Sequence, residues 1–429
     1  MKIILGLTLA LLSLGASAQS RLGRPTAGTF QQLAELTGSQ QYELVSGGAA
    51  ISGNTLVIGA PVANSPDGCI ECGAAYVYTA VDGDWTNLIL TATLTQSAGQ
   101  SVGGFGAAVA ISGDTIIVGG ADATSGQGAA YIYTNPSGNS TEDAELTVSG
   151  GQGVGAVSGV AIDGDTVVIG IPVVSIGRNE QQGSAYVYVE PSGGWTSTTQ
   201  TAQLLPSDGG GNFYFGTSVS ISGRYIVVGA PDGTPLGGVS EQGLAYLFVE
   251  PAPGWSGIWG QTTEFKASDG TGDAAFGLSV SVSENVLVVG APGQTIDSKQ
   301  REGASYIFAR PTTGWPKNMT ETAELTESDG KPADAFGISV AISNKTVIAG
   351  AYLRHNRQGA AYIFGESSGG WQSTSSAEAI AAPDGAADNY FGRPVAIGGG
   401  VLAVCANGWP DGGNTGDGYG AVYVFGSSR

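Results

Sequence analysis

Hydrophobic and polar residues alternate in short runs along most of the chain, and residues 276–308 show the pattern most clearly. Serine and valine alternate at 279–283, which is typical of a strand with one buried face. Residues 286–289 are apolar throughout, as expected for a strand that is covered on both faces. A third run, 303–308, has aromatic residues at alternate positions. The pattern therefore predicts short β-strands joined by turns.

The same pattern recurs about every 60 residues, and a fixed period of this size indicates an array of repeats. A fourth short strand, Ala-Glu-Leu-Thr at 323–326, completes the unit and has counterparts at 144–147 and 202–205. Four-stranded sheets repeated radially form a β-propeller. The sequence thus predicts an all-β fold, a seven-bladed β-propeller of four-stranded antiparallel blades, with no helix of consequence. Its seven copies begin at Val45, Phe105, Ala156, Phe215, Phe276, Phe336 and Phe391.

The two ends of the chain predict how the ring closes. The last copy stops after its third strand, 421–425, and lacks a fourth. Residues 34–37 repeat the Ala-Glu-Leu-Thr string without any preceding strands. We therefore expect residues 19–38 to supply the closing outer strand of the seventh blade, which removes an exposed sheet edge.

Five of the seven copies open on Phe-Gly and three end their first hairpin on Gly-Ala-Pro, with both strings present at Phe276-Gly277 and Gly290-Ala291-Pro292. This pairing resembles the FG-GAP repeat of the integrin α-subunit propeller and of many secreted microbial proteins. The resemblance implies the same fold and an extracellular recognition or adhesion role. Integrin-type repeats often hold calcium in an Asp-rich loop between the first two strands. Here those connections, such as 112–115 and 343–346, are long enough only for a hairpin turn, so the family's metal sites do not transfer.

The first 18 residues predict export. Lys2 precedes an apolar run, and Ala16-Ser17-Ala18 is a small-x-small cleavage site, so residues 1–18 are expected to be a signal peptide. Residues 19–429 are expected to form one propeller, secreted and extracellular, with no membrane span. A formal net charge of -20 disfavours nucleic acid and anionic membranes. The partners expected are therefore a glycan or an extracellular protein, with self-association as an alternative.

Cysteines and sequons suggest covalent modification. In an exported protein Cys69 and Cys72 are expected to form a local disulfide, whereas in the cytosol the same spacing would suggest a redox site. Cys405 occupies a repeat Gly position and is expected to be buried. Three sequons begin at predicted turns or loops and are candidate N-glycosylation sites in a eukaryote, at Asn139, Asn318 and Asn344.

Acidic residues recur in the connections between blades, where an Asp-Gly pair stands seven residues before the next Phe. Asp-Gly at a fixed position is typical of turns, in which the side chain caps nearby backbone and Gly takes a positive φ. Weak binding of a cation such as calcium is the alternative, and no other cofactor is predicted. The residues concerned are Asp269 with Asp273, Asp329 with Asp334, and Asp384 with Asp388.

Five tryptophans recur seven residues beyond the last aromatic residue of the third strand, at Trp85, Trp195, Trp255, Trp315 and Trp371. A ring of indoles near one rim is a candidate ligand-binding surface, because aromatic faces stack on sugars. The alternative is that each indole packs between blades, a contact that every repeat needs equally. The regular spacing favours packing, since binding residues more often break a repeat than follow it.

Signals for catalysis are weak. His355 is the only histidine and has no nucleophile motif beside it, and no pair of carboxylates is singled out, so no catalytic residue is predicted. The best hypothesis is an exported recognition or adhesion protein that binds through rim loops. Alternatives are a structural component of a matrix, cell wall or appendage, and a glycan-active enzyme. The loops that vary most between copies lie between the second and third strands, at 63–73, 173–183, 232–243, 294–303 and 353–359.

Overall fold

The structure is a computed structural model, and it describes residues 30–37, 47–64, 69–97, 104–121, 127–149, 155, 157–235, 237–408 and 420–427. The described residues form 32 β-strands, one 3-10 turn (Val81–Gly83) and one short helical turn, α1 (Arg354–Arg357). The strands of the first half are β1 (Phe30–Thr37), β2 (Gly48–Ser52), β3 (Thr55–Ala60), β4 (Ala74–Ala80), β5 (Leu88–Thr95), β6 (Ala108–Ser112), β7 (Thr115–Ala121), β8 (Gly128–Thr134), β9 (Gly138–Thr141), β10 (Ala144–Thr147), β11 (Gly159–Asp163), β12 (Thr166–Ile171), β13 (Ser184–Val189), β14 (Thr198–Thr199), β15 (Ala202–Leu204) and β16 (Ser218–Ser222). Those of the second half are β17 (Tyr225–Ala230), β18 (Leu244–Val249), β19 (Gly257–Trp259), β20 (Thr263–Phe265), β21 (Ser279–Ser283), β22 (Val286–Ala291), β23 (Ala304–Ala309), β24 (Asn318–Met319), β25 (Ala323–Leu325), β26 (Val340–Ser343), β27 (Thr346–Ala351), β28 (Ala360–Gly365), β29 (Glu378–Ile380), β30 (Phe391–Gly398), β31 (Val401–Ala406) and β32 (Ala421–Ser427).

The strands form seven sheets around one axis, which confirms the seven-bladed all-β propeller. In each blade the first strand is innermost and the chain moves outward through antiparallel neighbours. The sheets, blade 1 to blade 7, are β2-β3-β4-β5-β9, β6-β7-β8-β10-β14, β11-β12-β13-β15-β19, β16-β17-β18-β20-β24, β21-β22-β23-β25, β26-β27-β28-β29 and β30-β31-β32-β1.

Four blades contain a fifth strand that the repeat pattern did not predict. The strands β9, β14, β19 and β24 pair in parallel with the fourth strand of the preceding blade. Each comes from the connection between the third and fourth strands of the next blade, so the connection reaches back across the interface. These added strands have two to four residues, too few to show alternation in the sequence.

The chain's beginning completes the last blade, as predicted. The strand β1 runs antiparallel to β32, with Leu36 opposite Val422 and Thr37 opposite Ala421. The Phe30 N–H also donates to Glu378 Oε1 of blade 6 at 3.1 Å. The ring is therefore closed by pairing between the two ends of the fold. The predicted signal peptide, 1–18, lies outside the described residues.

The Phe-Gly and Gly-Ala-Pro strings meet at the interface between blades. The Phe276 side chain is fully buried and packs on Tyr306 and Phe308 of its own blade, with ring centroids 5.6 and 6.0 Å apart. A Cβ added to Gly290 would lie 2.0 Å from the carbonyl oxygen of Gly337 in the next blade. Both strings hold glycine because the two backbones touch at this point.

Serine side chains join the innermost strands around the axis. The Oγ of Ser220 accepts the Val282 N–H, and the Oγ of Ser281 accepts the Ile342 N–H, both at 3.1 Å. The polar positions of the first strand therefore bind the next blade, while the alternate apolar positions pack in the interfaces. These hydrogen bonds hold the innermost strands of neighbouring blades together around the propeller axis.

Candidate functional site

A cavity of about 820 Å³ lies on the propeller axis at the end where the first strands begin. Strand direction places the loops between second and third strands and the connections between blades at this same end, which we call the cavity rim. The turns between first and second strands lie at the other end, the opposite rim. Most of the cavity wall is small and uncharged, and it includes Gly48, Val109, Gly159, Ser218, Ser279 and Val340.

One side of the cavity mouth differs from the rest. Tyr352 of blade 6 and Tyr390 and Arg393 of blade 7 line the cavity there. The rings of Tyr352 and Tyr390 have centroids 6.0 Å apart and planes inclined by 34°. The Arg393 guanidinium lies 5.3 Å from the Tyr352 ring centroid, and Arg357 lies 5.9 Å from that of Tyr390. We call these four residues the mouth cluster.

The mouth cluster arises where the sequence departs from its repeat. Tyr352 stands at the proline position of Gly-Ala-Pro, and Arg393 follows Phe-Gly at a position that is uncharged in the other described copies. The sequence analysis identified no site at either position. The signal that would have found it is this break in the repeat. The uncharged counterparts of Arg393 are Ala107, Thr217, Leu278 and Ile338.

The mouth cluster is locally cationic on an acidic protein. Arg357 pairs with Asp388, with 2.6 Å between Nε and Oδ1. Arg393 is exposed and makes no ion pair within the part of the chain that the structure describes. The formal net charge of the whole chain is -20. Arg393 therefore supplies a positive charge whose donors are available at the cavity mouth.

The recurring tryptophans lie at the opposite rim and are mostly buried. Trp85 and Trp195 are each 8% exposed, and Trp255 and Trp371 are each 5% exposed. Trp315 is half-buried and packs edge-on against Phe265 of the preceding blade at 5.6 Å. The indoles thus occupy blade interfaces, and little of their surface faces solvent.

The aspartates of the Asp-Gly pairs contact a tyrosine hydroxyl of the next blade. The Tyr306 hydroxyl donates to Asp269 Oδ1 at 2.9 Å, and the Tyr423 hydroxyl donates to Asp384 Oδ1 at 2.8 Å. Burial, and then the Asp269 carboxylate, raises the pKa of Tyr306, so this hydroxyl stays protonated and able to donate. The sequence reading missed this link because the two residues are 37 positions apart. Among the described residues, no three His, Cys, Asp or Glu side chains are arranged to hold a metal ion.

The remaining aspartates of that set differ in burial. Asp273 and Asp388 are exposed, whereas Asp334 is buried and its Oδ2 accepts the Lys331 N–H at 2.8 Å.

A buried charged cluster distinguishes the interface between blades 5 and 6. Glu327 stands where other copies have Val148, Pro206 or Ala267, and neither of its carboxyl oxygens accepts a hydrogen bond. Burial, and then the neighbouring Asp334, raises the pKa of Glu327 to about 9. Arg354 Nη1 lies 3.7 Å from Glu327 Oε1 and favours ionisation, but the same guanidinium also bonds Asp329 and the Tyr362 hydroxyl. We therefore assign Glu327 as neutral near pH 7.

Other predicted sites lie away from the cavity. Cys69 and Cys72 are joined by a disulfide, and Cys405 is a free, buried thiol. Asn318 is exposed on β24, Asn344 is exposed in the turn between β26 and β27, and Asn139 lies on β9. His355 is exposed in α1. No helix in the described residues has the length and apolar character needed to cross a membrane.

Comparison with protein-family models matches the FG-GAP repeat at residues 89–133, 198–248, 259–308, 319–364 and 374–425. These segments together cover more than half of the chain. A search of curated proteins gives no match.

Solved structures similar to this chain include a β-propeller domain and a computationally designed protein. The WD40 β-propeller domain of Doa1 superposes with a TM-score of 0.51 at 11% identity, covering 93% of this chain and 98% of that one. The computationally designed Ika8 protein gives a TM-score of 0.47 at 13% identity, covering 92% of this chain and 99% of that one. At such low identity the likeness to Doa1 supports the fold alone.

Proposed function

The chain belongs to the FG-GAP repeat family, and from this premise we propose that it is an exported recognition or adhesion protein. Its ligand is a glycan or an extracellular protein that binds at the cavity rim. A rigid ring that carries variable loops on one face suits recognition, because specificity resides in the loops while the scaffold stays fixed. The sequence features of residues 1–18 support export.

The observation that carries the proposal is the mouth cluster. Partly exposed aromatic rings and an exposed arginine lie together at the opening of a cavity of about 820 Å³. Small-molecule sites usually enclose about 300–1,000 Å³ and combine aromatic walls with a few polar groups. The repeat does not need Tyr352 or Arg393 for packing, since other copies fold with proline, alanine or asparagine at the first position and uncharged side chains at the second.

The proposal is tested by expressing the chain with its leader and probing the secreted protein on arrays of glycans and extracellular proteins. We expect the protein in the medium to begin near Gln19 and to bind a defined subset of the array. Tyr352→Pro, which restores the repeat residue, should remove that binding. Trp371→Phe at the opposite rim should leave it unchanged. Retention of the protein inside the cell, or array binding that Tyr352→Pro leaves intact, would contradict the proposal.

A further inference from the structure

We propose that the mouth cluster binds a saccharide whose terminal sugar carries one carboxylate, with Arg393 pairing the carboxylate and Tyr352 and Tyr390 contacting the sugar ring. This inference rests on the proposed function and specifies the ligand class for the same site.

The arginine indicates the anionic group. A guanidinium presents its N–H donors at the edge of a plane, and two of them match the oxygens of a carboxylate. Tyr352 lies beside Arg393 at 5.3 Å, a contact that orients the guanidinium without using its donors in an ion pair. Because Arg393 has no carboxylate partner among the described residues, an incoming carboxylate need not displace one.

The tyrosines indicate the sugar ring. Their rings lie side by side at 6.0 Å and are both partly exposed at the cavity mouth. The weakly positive C–H edges of a sugar face suit the negative face of an aromatic ring. Beyond them the cavity wall holds hydroxyls of Ser218 and Ser279, each donating to a carbonyl of the next blade, so that both oxygens can still accept hydrogen bonds from sugar hydroxyls.

The charge balance limits the ligand to one anionic group at this site. Arg357 is already paired with Asp388, which leaves Arg393 as the available cation of the mouth cluster. A formal net charge of -20 repels an approaching polyanion over its whole length. An oligosaccharide that is uncharged except for one carboxylate on its terminal sugar therefore reaches Arg393 with the least repulsion.

Isothermal titration calorimetry with methyl galacturonide and methyl glucuronide, each compared with its neutral galactoside or glucoside, tests this assignment. We expect binding of the acidic member of a pair and at least tenfold weaker binding of the neutral one. Arg393→Gln should lower the affinity for the acidic sugar by roughly 10- to 100-fold, because charge-assisted hydrogen bonds contribute about 1.5–3 kcal/mol. Arg393→Lys should give an intermediate loss, since it keeps the charge without the planar fork.

Arg310→Gln is the matched control. Arg310 is exposed, and its N–H bonds the Asn285 carbonyl in the turn between β21 and β22, which places it at the opposite rim. This variant makes the same change in net charge as Arg393→Gln and should leave affinity within about twofold. Thermal unfolding of every variant separates loss of binding from loss of fold, and Arg393→Lys keeps the test usable should Arg393→Gln unfold.

The outcomes separate this inference from the proposed function. Binding of neutral glycans or proteins that requires Tyr352 but not Arg393 would overturn the ligand class and leave recognition at the cavity rim standing. Equal effects of Arg310→Gln and Arg393→Gln would overturn the site, because they would show that net charge alone matters. An absence of any saccharide binding would also overturn the inference, and the protein array would then decide the proposed function.

Discussion

Two glycines with similar backbone angles have different surroundings, since one lies where two blades meet and the other lies in an open turn. Gly277 has φ +94° and Gly254 has φ +87°. A Cβ on Gly277 would lie 2.2 Å from the carbonyl oxygen of Leu244 in the preceding blade, whereas a Cβ on Gly254 would meet nothing within 4 Å. The first glycine serves the blade interface, and the second serves only a turn.

Alanine substitution at both positions tests this distinction. Gly254→Ala should cost about 1–2 kcal/mol of unfolding free energy, the price of a left-handed non-glycine residue. Gly277→Ala should cost about 3 kcal/mol or more, because overpacking against backbone adds to the same strain. Denaturant unfolding measures both values. Equal losses in the two variants would mean that the backbones do not touch at the interface.

A second residue-scale prediction concerns Glu327 and pH. Its pKa is raised from 4.5 to about 9 in the folded protein, so the folded state binds more protons than the unfolded state between those values. Stability contributed by this group is therefore present below about pH 4.5 and is lost as the pH rises, by up to about 1.4 kcal/mol per pH unit. Glu327→Gln removes the titration, so its advantage over the native protein should grow from pH 5 to pH 9.

Denaturant midpoints at several pH values measure this advantage. Glu241→Gln is a suitable control, because Glu241 is exposed in the loop between β17 and β18. A constant difference between the native protein and Glu327→Gln across the range would show that Glu327 is ionised throughout, held by Arg354.

At the scale of elements, β1 is the segment on which closure depends. It pairs along β32, and its Leu33, Ala34 and Leu36 pack against the core between blades 7 and 1. A chain that begins at residue 39 lacks this strand and exposes the edge of β32. We expect it to lose on the order of 5 kcal/mol of unfolding free energy, from lost apolar burial and lost ladder hydrogen bonds.

The control for that truncation is a chain that begins at residue 30, which removes 19–29 and keeps β1. It should unfold at the same denaturant concentration as the chain that begins at residue 19. Should the chain that begins at residue 39 also unfold there, β1 would contribute nothing to the ring, and closure by this strand would be refuted.

The elements differ in how far the sequence could predict them. The first three strands of a blade follow from alternation at positions such as 279–283 and from apolar runs such as 286–289. The added strand β24 could not be predicted, because a two-residue parallel pairing depends on where the next blade lies. The bond from Tyr306 to Asp269 was missed for the same reason. The mouth cluster leaves a trace in sequence only as a departure from the repeat at Tyr352 and Arg393, and nothing local indicates that the two meet.

At the scale of the whole molecule, the described surface has few features on which copies of the chain would associate. Large exposed apolar residues are few in the described part of the chain, and only two of them are adjacent, Ile89 and Leu90. The outermost strands of blades 1 to 4 have two to four residues, and short edges offer little for another chain to pair with. The longest outer edge is β1, and its exposed side chains are all polar: Gln31, Gln32, Glu35 and Thr37.

These features predict a monomer, as expected of a recognition protein and not of a matrix or wall component built from contacts between propellers. Size-exclusion chromatography with light scattering should give the mass of one chain across a wide range of concentration. The measurement is made at low and at high salt, because a net charge of -20 also keeps copies of the chain apart. At 1 M salt the Debye screening length is about 3 Å, so this repulsion is largely removed. A monomer at both salt concentrations would show that the edges and the polar surface suffice. A mass that rises with concentration at low salt, where repulsion is strongest, would instead support the structural role, since only a specific interface could overcome that charge.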